Sequence, residues 1–276
     1  MHIWEQSVKE TQILRDCAEK NLSRKNYSYC YGELDDSRTI PNQPYPVSLT
    51  EEEGILLHAL IKQFGLSNGY EIATAFGYSS SYIGLALTGQ LYSLDCYVEE
   101  SEGQMDYSFQ RMVMETEKSR ARVAAGDYPK GLSIARAMAA ATGWIDRSSF
   151  VVGLSPNHVA ELFPMGVKID FAFIDGGHFD DQPTKDVAAI IPFLSEKAIV
   201  AFHDSRGNPS VANAIEHCRT VVGGGLVDFY TRHGISIVTK GIRSDEIEGF
   251  SRFLFREKMP LKRLYFGIAG KLGIKA

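Results

Sequence analysis

The side chains best suited to chemistry lie in two short segments, Asp175-Gly-Gly-His178 and His203-Asp204. Each follows an apolar run, Phe171–Ile174 or Ile199–Phe202, of the kind that forms a buried strand. Two carboxylates and two imidazoles on neighbouring strand tips could bind a divalent ion through oxygen and nitrogen. They could equally supply a general base, with His178 as the candidate. A plainer reading leaves Asp175 and Asp204 capping the following helices while one histidine packs. A second group lies earlier, in Glu71-Ile-Ala-Thr-Ala-Phe-Gly77. Ala73, Ala75 and Gly77 fall at alternate positions, and small side chains there let a ligand lie against the chain. Asp95 follows Glu71 by 24 residues, where an acid at the next strand end could accept both ribose hydroxyls. Together these residues point to a nucleoside. A tight turn with a capping serine and a solvated aspartate is the alternative.

The sequence contains no GxGxxG and no GxxxxGK[ST], which argues against a dinucleotide pyrophosphate and a P-loop nucleotide. The other histidines, His2, His58, His158, His217 and His233, stand singly and are expected to be structural or solvated. Four scattered cysteines without a CxxC pair read as reduced thiols of a cytoplasmic protein. The N-terminus is polar, unlike a secretory signal. The net charge of −5 hides an asymmetry: residues 249–276 carry +6, so the rest carries −11. That body lacks the basic face nucleic acid requires, so no nucleic-acid partner is expected.

The elements that must position these residues alternate. Thr50-Glu-Glu-Glu53 is a capping box, followed by Leu57, Leu60, Ile61 and Phe64 on one helix face. Strands are expected at about 70–72, Leu91–Asp95, Ser149–Gly153, Ile169–Ile174 and Ala198–Phe202, with helices between, one of them at Pro156–Phe163. Leu226–Thr231 and Ile235–Thr239 are too close to be anything but an antiparallel hairpin. The expected fold is α/β: a doubly wound, Rossmann-like sheet of about seven strands, the last antiparallel, with helices on both faces. Ligands in such sheets sit at the carboxyl ends of the strands. Three segments stand outside the alternation. Residues 1–46 begin with one short amphipathic helix (Ile3, Val8, Ile13, Leu14) and continue through Tyr27, Tyr29 and Tyr31 to a proline-rich link. Residues 97–131 form an insert, read either as a lid over the acceptor or as a solvated segment. Residues 241–276 are a basic amphipathic tail. Its apolar stripe could lie on an anionic membrane as a peripheral contact, or pack on the sheet or on a second subunit of a homo-oligomer.

Residues 48–240 resemble the class I S-adenosylmethionine-dependent methyltransferases. The branch they are most similar to is the small-molecule O-methyltransferases that include antibiotic- and sugar-modifying enzymes and relatives of cephalosporin hydroxylase. The segments that carry the resemblance are Glu71-Ile-Ala-Thr-Ala-Phe-Gly77, Leu94-Asp95, Phe171-Ala-Phe-Ile-Asp-Gly-Gly-His178 and Ile199-Val-Ala-Phe-His-Asp204. The resemblance implies a domain at 47–240 that binds S-adenosylmethionine. Glu71, Ala73, Ala75 and Gly77 would belong to the methionine-side loop, Asp95 would bind the ribose, Ser155 would lie near the adenine and Asp175 beside the sulfonium. It also implies Asp175, His203 and Asp204 as ligands where a member of the family uses magnesium. His203 departs from the carboxylate of better-known metal-binding members, and Ala73 and Ala75 replace glycines. The expected reaction is methyl transfer to a small-molecule acceptor, at a hydroxyl oxygen, with His178, Asp175 and His203 as catalytic candidates. A non-catalytic nucleoside-binding or scaffold protein on the same fold is the second reading. NAD-dependent oxidoreduction is disfavoured by the missing glycine fingerprint.

Overall fold

A computed structural model describes residues 3–21, 49–96 and 131–254. Seven strands form one sheet: β1 (Gly69–Ile72), β2 (Leu91–Asp95), β3 (Ser148–Val152), β4 (Ile169–Ile174), β5 (Leu194–Phe202), β6 (Leu226–Phe229) and β7 (Ile235–Lys240). Their order is β3-β2-β1-β4-β5-β7-β6. β1 to β5 are parallel, and β7 runs antiparallel to both β5 and β6. The doubly wound sheet with a closing hairpin is therefore the one expected. The order reverses at β1, which pairs with β2 on one side and β4 on the other, so the tips of β1, β2 and β4 border the crevice.

The central strands alternate between two cores because successive side chains point to opposite faces. Phe171, Phe173, Ile199 and Ala201 face one core; Ala172, Ile174, Val200 and Phe202 face the other. The first core is covered by α3 (Glu51–Phe64), α4 (Tyr78–Ala86) and α5 (Gly131–Ala141). The second is covered by α6 (Val159–Leu162), α7 (Gln182–Ile190) and α8 (Pro209–Val222). The expected helix at Pro156–Phe163 is thus only one turn, Val159–Leu162, because Pro156 and the residues after it form a turn first.

The N-terminal segment differs from the single helix expected. It forms α1 (Ile3–Glu10) and α2 (Gln12–Asn21), broken at Thr11, whose hydroxyl bonds the Ser7 carbonyl at 2.8 Å. The break turns Trp4, Leu14 and Ala18 into the core that α3 also fills. The start of the tail packs there too. In α9 (Ser244–Glu248) and α10 (Ser251–Leu254), Ile247 and Leu254 are buried, as is Phe250 between them, and Phe253 stacks on Trp4 at 6.0 Å. Among the described residues, no helix is long and apolar enough to cross a membrane. The tyrosine cluster, nearly all of the insert and the tail beyond Leu254 lie outside the described residues.

Candidate active site

β1 leads into α4 through a turn in which Ala73, Ala75 and Gly77 have φ of 67°, 48° and 79°. These are left-handed conformations, which cost an alanine roughly 1–2 kcal/mol each. The turn therefore has glycine geometry built partly from alanine. It is held by the end of β2: Ala73 N donates to Leu94 O at 2.9 Å and Ala75 N to Asp95 Oδ2 at 2.8 Å. Gly77 meets a second demand, since a Cβ there would lie 2.8 Å from Ala135 Cα on α5.

Glu71 sits beneath this turn and is fully buried. Ser80 Oγ and Ser93 Oγ donate to its Oε2, the latter at 3.2 Å, while Oε1 has no hydrogen-bond partner. Burial pushes its carboxyl up to about 7, and the serine hydroxyls only partly offset that. A buried carboxylate oxygen without a donor fits the ammonium end of an amino-acid moiety. Ser155 stands after β3 with its Oγ buried in no well-formed hydrogen bond. Its neighbourhood includes Asp186, which burial pushes up to about 6, and Gln182, which donates to Ser155 O at 3.0 Å and Asp186 Oδ1 at 2.6 Å. The turn, Asp95 and Ser155 thus lie at the carboxyl ends of β1, β2 and β3, with Glu71 beneath the turn.

The tips of β4 and β5 form the charged part. His203 is nearly inaccessible, with 2% of its side chain exposed, whereas Asp175, His178 and Asp204 expose 17%, 28% and 37%. His203 Nδ1 lies 3.0 Å from Asp175 Oδ1 and 3.6 Å from Asp204 Oδ2, and its Nε2 lies 3.5 Å from Glu53 Oε2. Burial opposes its charging, but Asp175, Asp204 and Glu53 carry it well above the usual imidazole range. It has a carboxylate on either side, although its Nε2 is in no well-formed hydrogen bond. Burial likewise opposes charge on Glu53, yet His203 and His233 hold that carboxyl well below the usual range. His178 Nδ1 faces Asp204 Oδ2 at 3.6 Å, Ser210 Oγ bonds its carbonyl at 2.7 Å, and its Nε2 has no hydrogen-bond partner. Asp204 itself has φ 50°, which turns the carboxylate off the end of β5.

The donor atoms that converge are grouped differently from the expected set of Asp175, His203 and Asp204: His203 falls with Glu53 and His233. Asp175, His178 and Asp204 do place donor atoms within 4.8 Å of one another. That set suits magnesium poorly. Magnesium takes oxygen ligands in a near-octahedral shell, one of the three donors is nitrogen, and His203 Nδ1 already lies within 3.6 Å of both carboxylates. His233 is structural, as expected, but does not stand singly: it bonds Glu53 through its backbone N at 3.0 Å and Nδ1 at 3.3 Å. Glu53 and His233 are 180 positions apart, and no local spacing pairs them. Glu53 read as a cap, and it is one: Thr50 N donates to its Oε2 at 2.7 Å.

Residues 70–205 match the family described as "Methyltransferase domain". The chain carries a methyltransferase domain. The matched segment runs from Tyr70 to Ser205 and so takes in Glu71, Asp95, Ser155, Asp175, His178, His203 and Asp204. Solved structures of similar fold include the cofactor-bound Rv0187 from MTB, at 14% identity and TM-score 0.54 over 83% of this chain and 89% of that one. The O-methyltransferase from Bacillus cereus, in complex with SAH, has 14% identity and TM-score 0.53 over 85% and 96%. TomG from Streptomyces achromogenes, an O-methyltransferase of tomaymycin synthesis in complex with SAM, has 15% identity and TM-score 0.50 over 80% and 89%. No curated protein sequence matches significantly. At these identities the structural likeness speaks to the fold of the methyltransferase domain, whose seven-stranded sheet reaches from β1 to the closing hairpin.

Proposed function

We propose that the methyltransferase domain moves the methyl group of S-adenosylmethionine to a hydroxyl oxygen of a small molecule. The observation that carries the reading is that the family match coincides with the crevice where the strained β1 turn, pinned by Asp95, meets the Asp175–His178 tip. Glu71 would face the ammonium, Asp95 the ribose, Ser155 the adenine, and Asp175 the sulfonium. The acceptor oxygen attacks the methyl carbon in line, forming the O–CH3 bond as the S–CH3 bond breaks and the sulfonium becomes a neutral thioether. The hydroxyl proton passes to His178 Nε2, and the imidazolium so formed faces Asp204. Holding donor and acceptor in line supplies most of the acceleration. His203 lies behind Asp175 and Asp204 and holds the two carboxylates together, so that no metal is needed there.

The test begins with calorimetry. S-adenosylhomocysteine should bind with micromolar affinity, roughly −8 kcal/mol. Methyl transfer from S-adenosylmethionine is then assayed against a panel of phenolic, catecholic and sugar hydroxyls, with and without chelator. Activity indifferent to chelator is expected, and activity abolished by chelator and restored by magnesium would overturn the metal-free part. No binding by the folded protein would overturn the methyl-transfer reading. Binding without transfer to any hydroxyl in the panel would favour the non-catalytic alternative.

A further inference from the structure

Glu53 does more than a capping residue needs to do. A capping-box glutamate accepts one backbone N–H at a helix start and ordinarily remains solvated. Glu53 is fully buried, and its two oxygens face five donors: Thr50 N at 2.7 Å, Thr50 Oγ1 at 2.9 Å, His233 N at 3.0 Å, His233 Nδ1 at 3.3 Å and His203 Nε2 at 3.5 Å. Capping alone gives no reason to take a carboxylate out of water, because desolvating it outweighs what one cap returns. The far side of the same imidazole supplies the reason. His203 Nδ1 lies 3.0 Å from Asp175 Oδ1, so Glu53, His203 and Asp175 form one line from the start of α3 to the tip of β4. Phe173 and His233 pack their rings around His203 at 6.0 and 5.1 Å and hold it in that line. Glu53 and His233 both fall outside the matched segment 70–205.

We propose that Glu53 is a positioning residue of the methyl-transfer centre, acting through His203 to fix the Asp175 carboxylate. The inference rests on the methyl-transfer reading only for its consequence in turnover; the linkage itself rests on the three side chains. Glu53 backs the ring at Nε2 while Nδ1 meets Asp175 on the far side. Without the Glu53 carboxylate the Nε2 end loses what backs it, and the ring can turn away from Asp175.

The capping box offers a way to separate the two roles, because glutamine caps as glutamate does. Glu53→Gln keeps the cap and removes the charge, whereas Thr50→Ala removes the hydroxyl half of the cap and keeps the charge. The protein is labelled with 15N-histidine, and the His203 ring is observed at neutral pH in the S-adenosylhomocysteine complex and in the free protein. The wild type should show a ring Nδ1–H protected from exchange against Asp175, Thr50→Ala the same, and Glu53→Gln should have lost that protection. With the best acceptor from the hydroxyl panel, Glu53→Gln should lower kcat on the order of 10- to 100-fold, the scale of a small misplacement, with S-adenosylhomocysteine affinity kept. Thr50→Ala, which takes one donor from Glu53 and leaves its charge, should lower kcat far less. A wild-type His203 with no protected Nδ1–H would overturn the proposal even if Glu53→Gln failed to fold. Full kcat in Glu53→Gln, or an equal fall in Thr50→Ala, would overturn it as well. A wild type that binds no S-adenosylhomocysteine would sink the methyl-transfer reading and leave the ring measurement to decide the linkage.

Discussion

Two glutamates are buried in this protein at opposite ends of the crevice. Glu71 lies under the β1 turn among serine hydroxyls, and burial pushes its carboxyl up to about 7. Glu53 lies behind the β4 and β5 tips, as inaccessible as Glu71, but His203 and His233 hold it well below the usual range. Burial raises a carboxyl in both places; the cations beside one of them decide the sign. The lesson concerns what each end can still do. Glu71 has a partnerless oxygen and can gain a cation from a ligand, whereas the charge of Glu53 is already matched within the fold. On the proposed reading the β1 end binds the cofactor, and the β4–β5 end orients charge around the reaction.

The largest effect should come from the reacting end. His178→Ala removes the proposed base, and loss of a positioned base costs about 10²–10⁴-fold in rate. Turnover should fall on that scale while S-adenosylhomocysteine affinity stays within a factor of about two, a difference of under 0.5 kcal/mol. Single-turnover kinetics beside calorimetry separates the two quantities. Full turnover in the variant would remove His178 as the base and break the division between the ends.

Asp95→Ala should do the reverse. Asp95 anchors the turn through Ala75 N and is the proposed ribose partner. Hydrogen bonds to a charged group are worth ~1.5–3 kcal/mol, so S-adenosylhomocysteine should bind roughly 10- to 100-fold more weakly. Turnover at saturating cofactor should change far less. Unaltered affinity in calorimetry would place the ribose elsewhere.

Glu71→Gln sharpens the comparison through pH. The folded carboxyl titrates near 7, above the ordinary value of 4.5. A carboxyl raised on folding favours the folded state below its unfolded pKa, and that favour is lost as pH rises through the folded one. The wild type should therefore lose stability between about pH 4.5 and pH 7 in a way the glutamine variant does not. At pH 8 the variant should be the more stable by about 1–2 kcal/mol, less than the full linkage because its amide nitrogen would lack an acceptor. Urea unfolding at pH 5 and pH 8 measures it, and a pH-independent difference would mean that Glu71 is not raised.

How much of this was legible in the sequence follows the same division. The sheet was, because Phe171–Ile174 and Ile199–Phe202 are apolar runs with glycine or an acid after them, and local pattern fixes a buried strand. The turn, Asp95 and the two tips were, because each sits within a few residues of a strand end. The role of His203 was not. Its side chain is set by Glu53, 150 positions earlier, and by a ring from the β6–β7 hairpin. Thr50-Glu-Glu-Glu53 reads as a cap because the local signal is satisfied by capping, and nothing local shows that the same carboxylate is buried against a strand tip. The break of the N-terminal helix at Thr11 escaped for a like reason, since the α3 core turns it.

The smallest effect tests the strain at the binding end. Ala73 and Ala75 hold φ of 67° and 48°, where a Cβ costs roughly 1–2 kcal/mol and glycine has no such penalty. Glycine also loosens the unfolded chain, which takes back about 0.4–1 kcal/mol. Ala73→Gly and Ala75→Gly should each therefore raise stability by about 0.5–1 kcal/mol, although the usual effect of Ala→Gly is the opposite. Asp204, with φ 50° at the other end, is the contrast, since aspartate tolerates the left-handed region better than alanine and glycine would gain less there. If urea unfolding shows either alanine variant to be less stable than the wild type, the turn is not left-handed in solution. Equal gains at Ala73, Ala75 and Asp204 would mean that strain is spread along the crevice and does not mark the binding end.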